Sequence, residues 1–194
     1  NIIMNEKINI IKEQVLSDDW YLLKKTTFNY LTNKGIWENR SRETYDRGNG
    51  ATLLLYNKLF QTVVLTRQFR FPTYVNGNSN GLLIETCAGL LDNDGPEEAI
   101  RREVEEETGY VLSSVEKVFE AYMSPGSVTE KVYFFIAEYT KEMKRHSGGG
   151  VEDEEIEVLE LPFAKAMAMI SSGEIQDGKT IMLLQYLSLS KLMN

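Results

Sequence analysis

Apolar runs of strand length recur at residues 51–56, 62–66, 82–87, 115–123, 132–139 and 156–161. Nearly all are bounded by polar residues, Gly or Pro, as strands are. The stretch 72–81 is rich in Asn and Gly and predicts a loop, and 141–155 predicts a polar loop carrying Gly148-Gly149-Gly150. A helical pattern covers 96–108, where Ile100 and Val104 lie four apart and share one face. Two more helices close the chain. Pro162 suits the first turn of one, and Asp177 is placed to cap the other over 180–192. Strands mixed with a few helices predict an α/β layered domain.

The first 47 residues follow another pattern. Residues 20–23 and 26–31 read as short strands, with the turn at 32–35. A small antiparallel β unit of this kind has too little core to stand alone. The expected organisation is therefore an N-terminal β unit over 1–47 and a main domain over 48–194.

Charge and composition narrow the chemistry. The net charge of −8 argues against nucleic acid, whose binding needs clustered Lys and Arg. No apolar run approaches the length of a membrane span. One cysteine, Cys87, rules out an internal disulfide or a cysteine-rich zinc site and suits a reducing, cytoplasmic setting. With one histidine, His146, acid–base and metal work falls to carboxylates.

The acidic helix stands out. Residues 92–107 hold eight acids and two basic residues. Pro96, Glu97 and Glu98 suit a helix start, and Gly109 suits the position after its end. Arg101 can pair with Glu105 and Arg102 with Glu106 at i,i+4 spacing. Glu103 and Glu107 share a face with no basic residue three or four positions away, near a helix end that disfavours anions. Two readings stand side by side: a solvated acidic face, or a cation site, for which Mg²⁺ with its taste for carboxylates and phosphates is suited.

Gly89 followed by Arg102-Glu103-Val104-Glu105-Glu106-Glu107-Thr108-Gly109-Tyr110 resembles the Nudix box. The second half of the box matches throughout. The first half is one residue shorter than the family spacing and lacks its Glu, with Asp94 and Gly95 nearest. Further segments are similar to the GDP-mannose-hydrolysing branch of the ADP-ribose pyrophosphatase-like Nudix enzymes. They are residues 46–51, 67–70, 124–130, 148–155 and 177–180, with Pro125 placed as in nucleotide-sugar-cleaving members.

The resemblance implies a three-layer α/β/α Nudix sandwich with a mixed sheet. It implies an N-terminal antiparallel piece exchanged across a homodimer, and Mg²⁺ (or Mn²⁺) as cofactor. It implies Glu103, Glu107, Glu154 and the Ala88 carbonyl as metal ligands, with Glu154 as possible base. Glu154 otherwise reads as part of a solvated acidic turn, although the three preceding glycines would let the loop bring a carboxylate inward. The implied substrate contacts are Trp20, Arg42, Glu43, Arg70, Glu130, Asp153 and Lys179, with Arg42 and Glu43 serving the partner's site. By residue type alone, Arg67 and Arg70 can meet phosphate bidentately, and Lys179 sits at a helix start where anions also meet free N–H groups. Each has an ordinary reading too: surface charge for the arginines, a solvated helix residue for Lys179, packing for Trp20, a solvated loop end for Glu130.

The expected activity is Mg²⁺-dependent hydrolysis of the pyrophosphate of a nucleoside-diphosphate sugar, GDP-mannose first. The alternatives are ADP-ribose or another nucleotide sugar, and a non-catalytic, nucleotide-binding regulatory module of the same fold.

Overall fold

The computed structural model describes residues 7–151 and 154–193. It divides into two compact units: residues up to Asn49 together with Tyr122–Lys131, and Gly50–Ala121 together with Val132 onward.

In the first unit, β1 (Ile8–Asp18), β2 (Leu22–Leu31) and β3 (Trp37–Asp46) form an antiparallel sheet in the order β1-β2-β3. The sequence pattern predicts two strands on either side of Lys24-Lys25. The ladder instead runs straight through, pairing Lys24 with Val15 and Lys25 with Gln14. Charged residues do not break a strand whose faces are open. For the same reason β1 has no clean alternation, and the sequence pattern misses it: all eleven of its residues are exposed. At the β2–β3 turn the Thr32 hydroxyl accepts from Ile36 N–H at 3.2 Å, and Gly35 N–H reaches the Thr32 carbonyl at 2.9 Å. The segment around Ser127 joins β3: Tyr45 N–H donates to Ser127 O at 2.8 Å, and Thr129 N–H donates to Tyr45 O at 3.1 Å.

The second unit is built on a mixed sheet in the order β10-β5-β4-β9-β8, with β6 on β5 and β7 on β4. Its strands are β4 (Gly50–Asn57), β5 (Thr62–Phe69), β6 (Leu82–Glu85), β7 (Cys87–Leu90), β8 (Glu116–Tyr122), β9 (Lys131–Glu138) and β10 (Glu157–Pro162). The β4–β9 pairing is parallel, and the other pairings of β4 and β5 are antiparallel. All eight residues of β4 are buried, which explains its unbroken apolar run.

Helices cover both faces of the sheet. Ala51, Leu53 and Leu55 join Ile100 and Val104 of α2 (Pro96–Thr108) in one buried hydrophobic cluster. Thr52 points the other way, as strand alternation requires. Its hydroxyl lies 2.8 Å from that of Thr86, which neighbours Thr180 of α4 (Gly178–Leu189). α3 (Phe163–Ser172) follows β10 directly. The second unit is the expected α/β/α sandwich with a mixed sheet, and the first is a small antiparallel sheet.

Three local details differ from the sequence pattern. The loop at 72–81 opens with one helical turn, α1 (Phe71–Val75), started by Pro72. The run 82–87 is two strands: β6 pairs with β5, β7 pairs with β4, and Thr86 sits at the changeover with its N–H on the Thr180 hydroxyl at 2.7 Å. Pro162 ends β10 and precedes α3. It is tolerated there because β10 is an edge strand pairing with β5 alone.

Candidate active site

Helix α2 carries the centre of the site. Pro96 occupies its first turn, and Gly109 ends it in the left-handed conformation at φ 79°, its N–H on the Glu105 carbonyl at 2.8 Å. Ile100 and Val104 are fully buried and fix the rotation of the helix against the sheet. That rotation decides the fate of each acid. Glu105 faces solvent, Glu103 is half-buried, and Glu107 is only 3% exposed. A uniformly solvated acidic face is thereby excluded.

The electrostatics follow from this placement. Burial raises the Glu107 carboxyl, a hydrogen bond from the Cys87 thiol opposes it, and Glu103 adds to it, for a pKa of about 8. Burial also raises Glu103 to about 7, opposed by Arg102 and reinforced by Glu106 and Glu154. Burial first, and Glu107 second, push the Cys87 thiol well up, so it stays a protonated, buried strand residue. The i,i+4 ion pairs predicted for Arg102 do not form. Its guanidinium reaches Asp94 at 3.4 Å, Glu103 at 3.7 Å and Asp92 at 3.9 Å, because the loop before the helix presents its own acids. Arg101 turns to the Ser113 carbonyl at 3.5 Å instead of Glu105.

These residues suit a divalent cation. Glu107 Oε2 is buried without a hydrogen-bond partner among the described residues. An orphaned carboxylate oxygen of this kind is costly unless a cation or proton completes it. Gly89 of β7 lies against the Glu103 carboxylate, and a Cβ built there would overlap it. The glycine thus clears the space that Glu103 uses. Among the described residues no three or more His, Cys, Asp or Glu side chains stand together as a ready-made cage. Further ligands must therefore be backbone, solvent or substrate oxygens, or a carboxylate brought in from a loop. Ala88, half-buried on β7 opposite Thr52, lies beside Gly89.

Glu154 is exposed, with its Oε2 accepting from Val151 N–H at 3.2 Å. The glycines before it are docked on the end of α2. Gly149 N–H donates to the Glu107 carbonyl at 2.9 Å and Gly150 N–H to the Glu106 carbonyl at 3.2 Å. Gly148, Gly149 and Gly150 all take positive φ, at 71°, 116° and 85°. A Cβ on Gly148 would strike the Glu107 carbonyl oxygen. Asp153 lies outside the described residues.

A second cluster gathers at the start of α4. Glu85, the last residue of β6, is 3% exposed. Its Oε2 accepts from Arg70 Nε at 2.7 Å and its Oε1 from Lys179 Nζ at 3.2 Å. Lys179 also donates to Asp177 Oδ1 at 2.8 Å, while Asp177 Oδ2 caps α4 by accepting from Thr180 N–H at 2.9 Å. Burial pulls the Lys179 pKa down, but Asp177 and Glu85 push harder, so it ends above the ordinary lysine value. Arg67 separates from Arg70 here: it pairs with Glu157 of β10. Sequence reasoning missed Glu85. Its one signal was an acid closing the apolar run Leu82-Leu83-Ile84.

The other sequence-derived candidates lie in the first unit. Trp20 is 82% exposed in the β1–β2 turn. Arg42 and Glu43 are exposed on β3, opposite Thr26 and Lys25. Glu130 meets Arg47 at 3.5 Å.

Comparison with known proteins agrees with this geometry. The NUDIX domain family model matches residues 46–184, and the GDP-mannose pyrophosphatase NudK N-terminal domain matches residues 7–45. The chain is 60% identical over 190 residues to a GDP-mannose pyrophosphatase of Enterobacter sp. (strain 638), covering 98% of this chain and 100% of the relative. It is 59% identical to the protein of that name from Citrobacter koseri, over 97% of this chain and 99% of the relative. For the protein of that name from Pectobacterium atrosepticum the identity is 58%, over 94% and 95%. A crystal structure of an ADP compounds hydrolase shares the fold, with a TM-score of 0.70 at 17% identity over 95% of this chain and 96% of that one. Nudix hydrolases work with divalent cations, which suits the Glu103–Glu107 face. With its box on α2 and the family model spanning most of its length, the chain belongs to the Nudix hydrolase family.

Proposed function

We propose that the protein hydrolyses GDP-mannose to GMP and mannose 1-phosphate, with Mg²⁺ as its cation. The observation that carries the chemistry is the buried, unpartnered Glu107 carboxylate oxygen beside Glu103 on the box helix. The choice of substrate is supported by near-full-length identity to proteins named for it.

In this reading Glu103, Glu107, Glu154 and the Ala88 carbonyl hold the cation. Bound there, Mg²⁺ would neutralise pyrophosphate charge and acidify the attacking water. Glu154 takes the proton of that water. The water oxygen forms a new P–O bond, the bridging P–O bond breaks, and the bridging oxygen leaves with the other phosphate. Arg70 and Lys179 receive phosphate oxygens, with Asp153 nearby in sequence to Glu154. Among the described residues the two terminal guanidinium nitrogens of Arg70 have no hydrogen-bond partner, its Nε alone being held by Glu85. A planar donor edge is left for an anion.

Trp20, Arg42, Glu43 and Glu130 complete nucleotide recognition, with Arg42 and Glu43 reaching the site of a second copy in a swapped homodimer. The exposed apolar residues Ile8, Ile10, Ile11, Val15, Leu16 and Trp37 support such a partner, because a sheet with this much apolar surface calls for cover. Among the described residues no helix is long and apolar enough to cross a membrane. The enzyme is proposed to work in the cytoplasm.

The test is a panel of nucleotide sugars with Mg²⁺ and identification of products. GMP and mannose 1-phosphate are expected from GDP-mannose. GDP and free mannose would mean attack at the sugar carbon, and a clear preference for ADP-ribose would replace the substrate.

A further inference from the structure

We propose that Glu85 is a positioning residue that holds Arg70 and Lys179 as one phosphate-receiving pair; this rests on the substrate roles proposed for those two cations.

Three observations carry it. Glu85 uses both carboxylate oxygens on separate cations, Oε2 on Arg70 Nε at 2.7 Å and Oε1 on Lys179 Nζ at 3.2 Å. The two cations come from distant elements, Arg70 from the end of β5 and Lys179 from the first turn of α4. No other described side chain hydrogen-bonds to both. The Glu85 side chain is almost fully buried, at 4%, whereas Arg70 keeps 38% of its surface and Lys179 18%. The clamp is therefore inside, and its cations open toward solvent.

The chemistry of the contacts gives the clamp its direction. Arg70 is gripped at Nε, which fixes the guanidinium plane and leaves its terminal edge for a ligand. Lys179 is held from two sides, by Glu85 and by Asp177 at 2.8 Å. A flexible lysine is thereby reduced to one position beside the free N–H groups at the start of a helix of twelve residues. Two acids against two cations keep the cluster neutral, so it persists before any phosphate arrives. An arriving phosphate then meets donors already in place and need not order them itself. Glu85 also begins the turn into Thr86, Cys87, Ala88 and Gly89, so the cation pair and the Glu103–Glu107 face are built from one stretch of chain.

The experiment is a double-mutant cycle read with two probes: turnover of a nucleotide sugar, and competitive inhibition by inorganic pyrophosphate. Glu85→Gln keeps the shape but cannot accept from both cations as a charge. It should lower kcat/KM and weaken pyrophosphate inhibition by about 10–100-fold, with Mn²⁺ binding in the absence of nucleotide unchanged. In a Lys179→Ala or an Arg70→Ala background the same substitution should cost clearly less than in the wild type, because one of the two residues it positions is gone. Glu85→Asp, which keeps the charge on a shorter arm, should recover part of the loss.

Wild-type kinetics in Glu85→Gln would overturn the proposal. So would a full-sized loss that persists in both the Lys179→Ala and the Arg70→Ala backgrounds, since that marks a purely structural carboxylate. Should Glu85→Gln not fold, the cycle is run with Glu85→Asp, whose smaller loss should shrink in the same two backgrounds; a loss that stays undiminished in both overturns the proposal. Pyrophosphate inhibition reads the clamp whichever sugar is cleaved, so an error in the proposed substrate leaves this outcome separate.

Discussion

The two sheets of this protein handle apolar residues in opposite ways. In the mixed sheet every residue of β4 is buried, and the helices above and below it are pinned by residues such as Ile100 and Leu183. In the β1–β3 sheet none of the described residues is buried, and Ile10 and Ile11 stand 61% and 53% exposed. The first sheet has a core, and the core sets the rotation of α2 that buries Glu107 and half-buries Glu103. The second has strand order and register but no core. Its ladders specify where each residue stands, while its apolar side chains are at most partly withdrawn from water. Precise placement of reactive groups belongs to the packed unit, and the open sheet is the one suited to serve a neighbour.

Four measurements would break or sharpen this contrast. The largest effect belongs to the packed unit. Glu107→Gln should lower turnover by at least about a hundredfold while the metal-free protein keeps or gains thermal stability, since an amide in that buried place cannot ionise. Near-normal divalent-dependent turnover in this variant would remove Glu107 from the reaction. The second measurement tests the open sheet. Glu107→Gln and Arg42→Ala proteins, each inactive alone, are mixed under conditions of subunit exchange. If Arg42 serves a partner's site, half of the molecules become heterodimers with one intact site of two, and activity returns to about a quarter of wild type. A fully exchanged mixture that stays inactive, or an active monomer in sedimentation, would leave the open sheet without that role.

The third concerns the space cleared for Glu103. Gly89→Ala places a methyl group where that carboxylate lies, so divalent-cation affinity should fall about tenfold or more, measured by Mn²⁺ titration. Unchanged affinity would show that Glu103 can shift without consequence. The fourth is a pH profile of stability without metal. Glu107 titrates at about 8 in the folded protein against an ordinary 4.5, so its protonated form is the stable one in the fold. Its contribution is fully present below 4.5 and is lost as pH rises through about 8. Chemical unfolding should show a loss of about 1–3 kcal/mol from Glu107 across that window, on top of the smaller loss that Glu103 leaves in Glu107→Gln. A wild-type profile parallel to that of the variant would mean that Glu107 is not held in a protonating environment.

How much of this was legible depended on whether a feature is contiguous in sequence. The segment Arg102 to Tyr110 could be read directly because one helix turn sets the spacing of Glu103 and Glu107, and the glycine after it ends the helix. Glu85 could not, since its partners lie 15 and 94 positions away and an acid closing an apolar run looks like an ordinary strand end. The run 82–87 looked like one strand because periodicity records burial and not which neighbour a strand pairs with. The N-terminal sheet was only half legible. With no buried face, β1 and the Lys24-Lys25 stretch of β2 carry no alternation to detect. The pairing of Arg102 with Asp92 and Asp94 was hidden because the helix ladder offers i,i+4 partners, whereas the competing acids come from the loop that folds back beside it.

The docked glycine run makes the chain sensitive to length as well as to residue type. Two consecutive amides, of Gly149 and Gly150, meet two consecutive carbonyls, of Glu107 and Glu106, in reverse order. This is a short splice between a loop and a helix end, and it has a reading frame. The frame extends upstream, since Arg145 N–H donates to the Gly109 carbonyl at 2.8 Å and Val111 N–H to the Met143 carbonyl at 3.0 Å, so residues added between Met143 and Ser147 would shift it as well. One residue inserted between Gly148 and Gly150 would shift the frame and force a side-chain-bearing residue into a backbone shape reserved for glycine. Length variation in this part of the molecule should therefore collect upstream of Met143, with the spacing from Met143 through the glycines to Glu154 held constant.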